Sequence, residues 1–115
     1  MPRNTLLYGY HQTAGLRRRC GVVLVECPWG VLRLAHLGIP AVALLGTHLS
    51  SIQHKLLYDL PKVAVMMDGD KAGREAARVI SVQLPNTVAV HLPDGLDPDD
   101  LSDQELAGLS NSILL

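Results

Sequence analysis

The sequence predicts an α/β domain, a mainly parallel sheet of about four strands with helices on both faces. Three observations carry that reading. Short β-branched runs alternate along the chain with stretches of helical periodicity, the pattern of βαβ units. The runs are apolar without alternation, as strands covered on both faces are. Breakers stand between the elements, at Gly38, Pro40 and Pro85.

The elements follow in order. Residues 5–19 read as a short helix with Leu6, Leu7, Tyr10 and Leu16 on its apolar side. Arg17, Arg18 and Arg19 sit at its end, where cations suit the helix dipole. Residues 1–20 are therefore expected to be an N-terminal helical extension, 21–109 the main domain and 110–115 a tail. Gly21 to Glu26 is the first strand. Residues 29–37 form a helix with Val31, Leu32, Leu34 and Ala35 apolar, Gly38 at C′ and Pro40 beyond. Ala41 to Leu45 is the second strand. Ser50 with Gln53 makes a capping box for a helix over 51–60, with Ile52, Leu56, Leu57 and Leu60 inward. Lys62 to Met67 is the third strand. Lys71 to Leu84 is a helix with Ala72, Ala76, Ile80 and Leu84 stacked on one face. Thr87 to Leu92 is the fourth strand, and Ser102 with Glu105 caps a final short helix.

Composition narrows the class. A chain of 115 residues makes one domain and buries a core without disulfides. With no Phe and one Trp, that core must be aliphatic. A net charge of −1 is not that of a self-sufficient nucleic-acid binder, so metal ions, local patches or a partner must supply positive charge. Cys20 and Cys27 form no CxxC pair, which excludes a zinc knuckle and fits a reduced intracellular chain. The five histidines form no paired-ligand motif. The sequence carries no signal peptide and no run long enough to span a membrane, so a cytoplasmic location is expected.

In open parallel sheets, sites form at the carboxyl ends of the strands. Glu26 ends the first strand, Asp68 and Asp70 follow the third, and Asp97, Asp99 and Asp100 lie in the loop after the fourth. So many carboxylates repel unless a cation neutralises them or some stay protonated. Oxygen ligands of this kind suit Mg²⁺ or Mn²⁺, with water and substrate phosphates completing the shell. Gly69 is expected to permit a tight turn that aims Asp68 and Asp70 at one ion. Blander roles stand beside these: Asp70 fits an N-cap, Glu26 a partner for arginine, and the acidic loop a solvated turn. Cys27 reads as a small buried thiol, and Trp29 as a residue at the core's edge.

These motifs resemble the Toprim family, most closely the Toprim catalytic core of bacterial-type DNA primases. Val22 to Arg33, followed by His36–Pro40 and Leu45–Thr47, is similar to the family's first motif. Met67 to Arg74 resembles its Asp-x-Asp motif, and His91 to Leu101 its third acidic segment. The resemblance implies a Rossmann-like Toprim fold and nucleotidyl transfer on nucleic acid, as in primer synthesis. It makes Glu26 a general acid/base or metal-organising group, Asp68 and Asp70 metal ligands, and Asp97 and Asp99 helpers of a second metal. Lys71 and Arg74 would meet phosphates, although they also share a solvated stripe with Glu75 and Arg78. The implied partners are single-stranded DNA template or RNA/DNA primer, nucleoside triphosphates, and a helicase or template-binding domains. Two positions depart from the family: Cys27 stands where it has Gly, and Gly30 where primases commonly have Asp. A full primase of this kind also needs template-binding elements, generally a zinc module and a basic companion domain, and neither is read in these residues, so robust primer synthesis by this chain alone is not expected. A Toprim-type nuclease and a degenerate, non-catalytic metal- or partner-binding module remain the alternatives.

Overall fold

A computed structural model describes residues 21–44 and 50–114. Four strands, β1 (Val22–Val25), β2 (Ala41–Ala43), β3 (Val63–Val65) and β4 (Thr87–Ala89), form one sheet in the order β2-β1-β3-β4. Every neighbouring pair is parallel, as the sequence predicts. Among the described residues four helices accompany them: α1 (Pro28–His36), α2 (Ser51–Tyr58), α3 (Lys71–Gln83) and α4 (Asp103–Leu114). A single 3₁₀ turn, Pro98–Asp100, precedes α4. The expected N-terminal helical extension, Cys20, and the Leu45–Thr47 part of the first motif lie outside the described residues.

Strand period divides the core into two layers. Val23, Val25, Ala41, Ala43 and Ala64 point to one face and pack with Val31 and Leu34 of α1 and Leu106 of α4. Val22, Leu24, Val42, Val63 and Val65 point to the other and pack with Leu57 of α2 and Ala77 and Ile80 of α3. Helices thus cover both faces. Each fully buried side chain such as Leu24, Leu34 or Leu57 contributes about 1.5–3 kcal/mol of burial. The strands are shorter than the apolar runs. One further ladder bond each, from Leu44, Met66 and Val90, continues the pairing before the chain turns toward the site.

The helix ends follow their sequence signals. Pro28 opens α1, and Gly38 closes it at φ 77° while Ile39 N–H reaches back to Leu34 O at 2.9 Å. Both capping boxes form, Ser50 with Gln53 on α2 and Ser102 with Glu105 before α4. Several inward faces differ from expectation. Ile52 is exposed and Gln53 is buried instead, because the capping box turns the glutamine side chain back to the Ser50 N–H. On α3, Ala72 faces solvent while Gly73, Ala76, Ala77 and Ile80 face the sheet, which is the i, i+3, i+4, i+7 stripe of a helix on a flat layer. Leu32 and Ala35 of α1 are exposed, since only Val31 and Leu34 can meet the sheet at once. The last helix continues to Leu114, through the stretch expected as a tail. Among the described residues, no helix is long and apolar enough to cross a membrane.

Candidate metal centre

Strand order reverses at β1, whose neighbours are β2 on one side and β3 on the other. Such a reversal opens a crevice at the carboxyl ends of the strands. Glu26 leaves β1 there and Asp68 follows β3, and the Asp68 N–H donates to Glu26 Oε1 at 3.3 Å. A cavity of about 340 Å³ opens above this contact, lined by Glu26, Asp68, Asp97 and Asp99 together with Cys27 and Gly30. Acids from three separate segments therefore share one rim.

The third segment reaches the rim through backbone contacts. Gly69 N–H donates to Leu96 O at 2.7 Å, and Gly95 N–H donates to Gly69 O at 2.8 Å. A Cβ on Gly69 would stand 2.2 Å from Pro93 O. Gly69 is needed because another backbone passes there, not because its own dihedrals demand a tight turn, which corrects the expectation. The acidic loop is also internally built: Asp97 Oδ1 accepts from Asp99 N–H at 2.9 Å, and Asp100 Oδ2 accepts from Asp97 N–H at 2.9 Å. The solvated-turn reading accounts for this shape, while Asp97 and Asp99 still line the cavity.

Electrostatics mark Asp68. Its carboxyl is pushed up to about 6, first by burial and then by the charges of Glu26, Asp97, Asp70 and Asp99. A shift of this kind is what burial, added to by unneutralised neighbouring carboxylates, produces. Asp70 behaves differently. It is the N-cap of α3, with Oδ1 accepting from Gly73 N–H at 2.6 Å, and it lies outside the residues lining the cavity. Its capping role is therefore real, and its charge acts on Asp68 from the side. As the side chains stand, no three His, Cys, Asp or Glu among the described residues are close enough to grip one ion. The donor set nonetheless fits a hard divalent cation: four carboxylates face one space, and a cation would relieve the repulsion that raises Asp68.

Other expectations are corrected or refined. Cys27 is exposed rather than buried, because it is the N-cap residue of α1 and lies on the cavity rim. Trp29, 68% exposed, is not at the core's edge, since the first turn of α1 projects it into solvent. Arg74 pairs with Asp94, which fastens α3 to the acidic loop, and Lys71 opens the same helix exposed. Arg33 is a further residue of the site region that the sequence does not single out. From α1 its Nη1 donates to Pro98 O at 2.8 Å, and its Nη2 donates to Leu101 O and to Asp103 Oδ1 at 3.1 Å. Nothing local signals this role, because its partners lie 65–70 residues away.

Comparison with known proteins agrees with this fold. A family described as Toprim-like matches residues 23–102. A DNA primase from Geobacillus stearothermophilus is 35% identical over 104 residues, covering 85% of this chain and 17% of that protein. One from Aquifex aeolicus is 38% identical, covering 92% of this chain and 24% of that protein. The chain thus spans about a fifth of the length of these relatives. A solved DnaG catalytic core superposes with a TM-score of 0.77 at 34% identity, covering 91% of this chain and 37% of that one. A DnaG primase catalytic domain bound to ssDNA superposes with a TM-score of 0.77 at 29% identity, covering 99% of this chain and 40% of that one.

Proposed function

This chain belongs to the Toprim-like family, and from that premise we propose that its carboxylate rim serves nucleotidyl transfer of the DNA-primase kind. The observation that carries the reading is the meeting of Glu26 and Asp68 where the strand order reverses, with Asp97 and Asp99 on the same cavity. Glu26, Asp68, Asp97 and Asp99 would hold Mg²⁺ or Mn²⁺, and Asp70 would join them through the oxygen its cap leaves over. Such a cation, when bound, polarises phosphoryl oxygens and lowers the pKa of an attacking hydroxyl. Glu26 is the general acid/base or metal-organising group; its Oε1 is already oriented by the Asp68 N–H. Lys71 is the better phosphate contact of the two candidates, since Arg74 is engaged by Asp94. The substrates are nucleoside triphosphates with single-stranded DNA template or RNA/DNA primer. The chain's near-neutral charge assigns template grip to companion domains or a helicase-type partner, and a cytoplasmic setting fits this role.

The test supplies single-stranded DNA, labelled nucleoside triphosphates and Mg²⁺ or Mn²⁺, with and without template-binding domains of a related primase. Incorporation that disappears in Glu26→Gln and Asp68→Ala supports the proposal. Cleavage of the DNA without incorporation replaces it with a nuclease. Exposed Cys27 and the lost carboxylate at Gly30 favour the third reading, a non-catalytic module, which metal binding without either activity would establish.

A further inference from the structure

The acidic loop carries two of the four carboxylates on the cavity, yet its own bonds do not fix where it stands relative to β1. Its ties run to both sides. Toward α3 they are the Gly69–Leu96 and Gly95–Gly69 backbone bonds and the Arg74–Asp94 pair. Toward α1 there is Arg33. Pro98, whose carbonyl Arg33 holds at 2.8 Å, lies between Asp97 and Asp99. Leu101, whose carbonyl it also holds, closes the same 3₁₀ turn. Leu101 N–H already donates to Pro98 O at 3.2 Å, so Arg33 fills acceptor capacity that the turn leaves at its end. Its side chain is 25% exposed, against 66% for Asp103, so the carbonyl contacts are the sheltered part of the grip and the ion pair the wet part.

We propose that Arg33 is a positioning residue that holds Asp97 and Asp99 on the cavity they share with Glu26 and Asp68, from which they can close on a cation. The planar fork reaches two carbonyls and a carboxylate at once, which a lysine ammonium on a flexible stem does not reproduce. Arg33 follows Gly30, which lines the cavity, by one turn of α1, so the same helix meets the site twice, the second time through the backbone of the opposite loop. This inference rests on the carboxylate-site reading above, and its test separates the two.

Mn²⁺ binding is measured by calorimetry on the wild type and on Arg33→Ala, Arg33→Lys, Arg33→Gln and Asp103→Asn, with thermal unfolding recorded for each. Removing a group that orients metal ligands typically weakens affinity by about 10- to 100-fold, and that loss is expected for Arg33→Ala. Arg33→Lys and Arg33→Gln should recover only part of it. Asp103→Asn should bind nearly as the wild type, because both carbonyl contacts remain. If Arg33→Ala fails to fold, the Lys and Gln variants carry the test. Wild-type affinity in Arg33→Ala or Arg33→Lys overturns the positioning role, even where the melting temperature falls. A wild type that binds no Mn²⁺ overturns the carboxylate site itself.

Discussion

Replacing Asp68 with Asn removes the carboxylate that the fold most strongly disfavours. In the folded chain this group titrates near 6 rather than 3.8, because burial and the Glu26, Asp97, Asp70 and Asp99 charges oppose its ionisation. The unfolded chain ionises first as pH rises. Between those two values the folded state holds more protons, so stability falls with rising pH and the loss is complete above about 6. One unit is worth about 1.4 kcal/mol, which bounds the cost near 3 kcal/mol. Asp68 is only partly buried, and solvent screening reduces the figure to about 1–2 kcal/mol. Asp68→Asn should therefore be more stable than the wild type by that amount near pH 7.5 with divalent ions chelated. The difference should shrink toward about pH 4, where the wild-type acid is largely protonated. Added Mg²⁺ should reverse the order, since it stabilises only the chain that binds it. Urea unfolding followed by far-UV circular dichroism measures all three conditions. An Asp68→Asn variant destabilised equally at both pH values would refute the reasoning, because the carboxylate would then be contributing by structure rather than by charge.

Three further outcomes are expected. Asp70→Ala should lose both a helix cap, at a cost of about 1 kcal/mol, and part of the Mn²⁺ affinity; Asp70→Ser should keep the cap and lose only affinity, and calorimetry beside thermal melts separates the two duties. Gly69→Ala should destabilise by about 1–3 kcal/mol or more in urea, because its Cβ meets backbone rather than a movable side chain. Installing the residues that the family resemblance leads one to expect, by Cys27→Gly with Gly30→Asp, should tighten Mn²⁺ binding at little cost in stability; the new Cβ at position 30 meets Val25 Cγ2 at 3.2 Å, which a shift of a few tenths of an ångström relieves.

How far the sequence reached depended on whether the determinant was local. The apolar runs of β1 and β3, the breakers at Gly38 and Pro40, and the capping residues Ser50 and Ser102 act on their own neighbours, and each stands as read. The parallel order then brings Glu26 to Asp68 almost by necessity, since both residues leave adjacent strands at the same end. What was illegible depended on segments far apart in the chain. Arg33 reads in the sequence as one more helix residue, because the Pro98 and Leu101 carbonyls that it reaches lie far along the chain. Gly69 was rightly singled out for the wrong cause, because the backbone that crowds it belongs to residues 92–96. Ile52 and Ala72 carry the right hydrophobicity on the wrong side of their helices, where one residue of phase decides burial and composition does not. Asp70 satisfied two patterns at once, and sequence could not apportion them.

The most direct examination of the shared rim is paramagnetic broadening of backbone amide signals as Mn²⁺ is added in small steps. Amides of Glu26, Asp68, Asp97 and Asp99 should fade together at the lowest additions, ahead of exposed acids such as Glu75 and Asp103. Fading that begins at the surface acids, or that touches one of the three segments without the others, would contradict a common cation site.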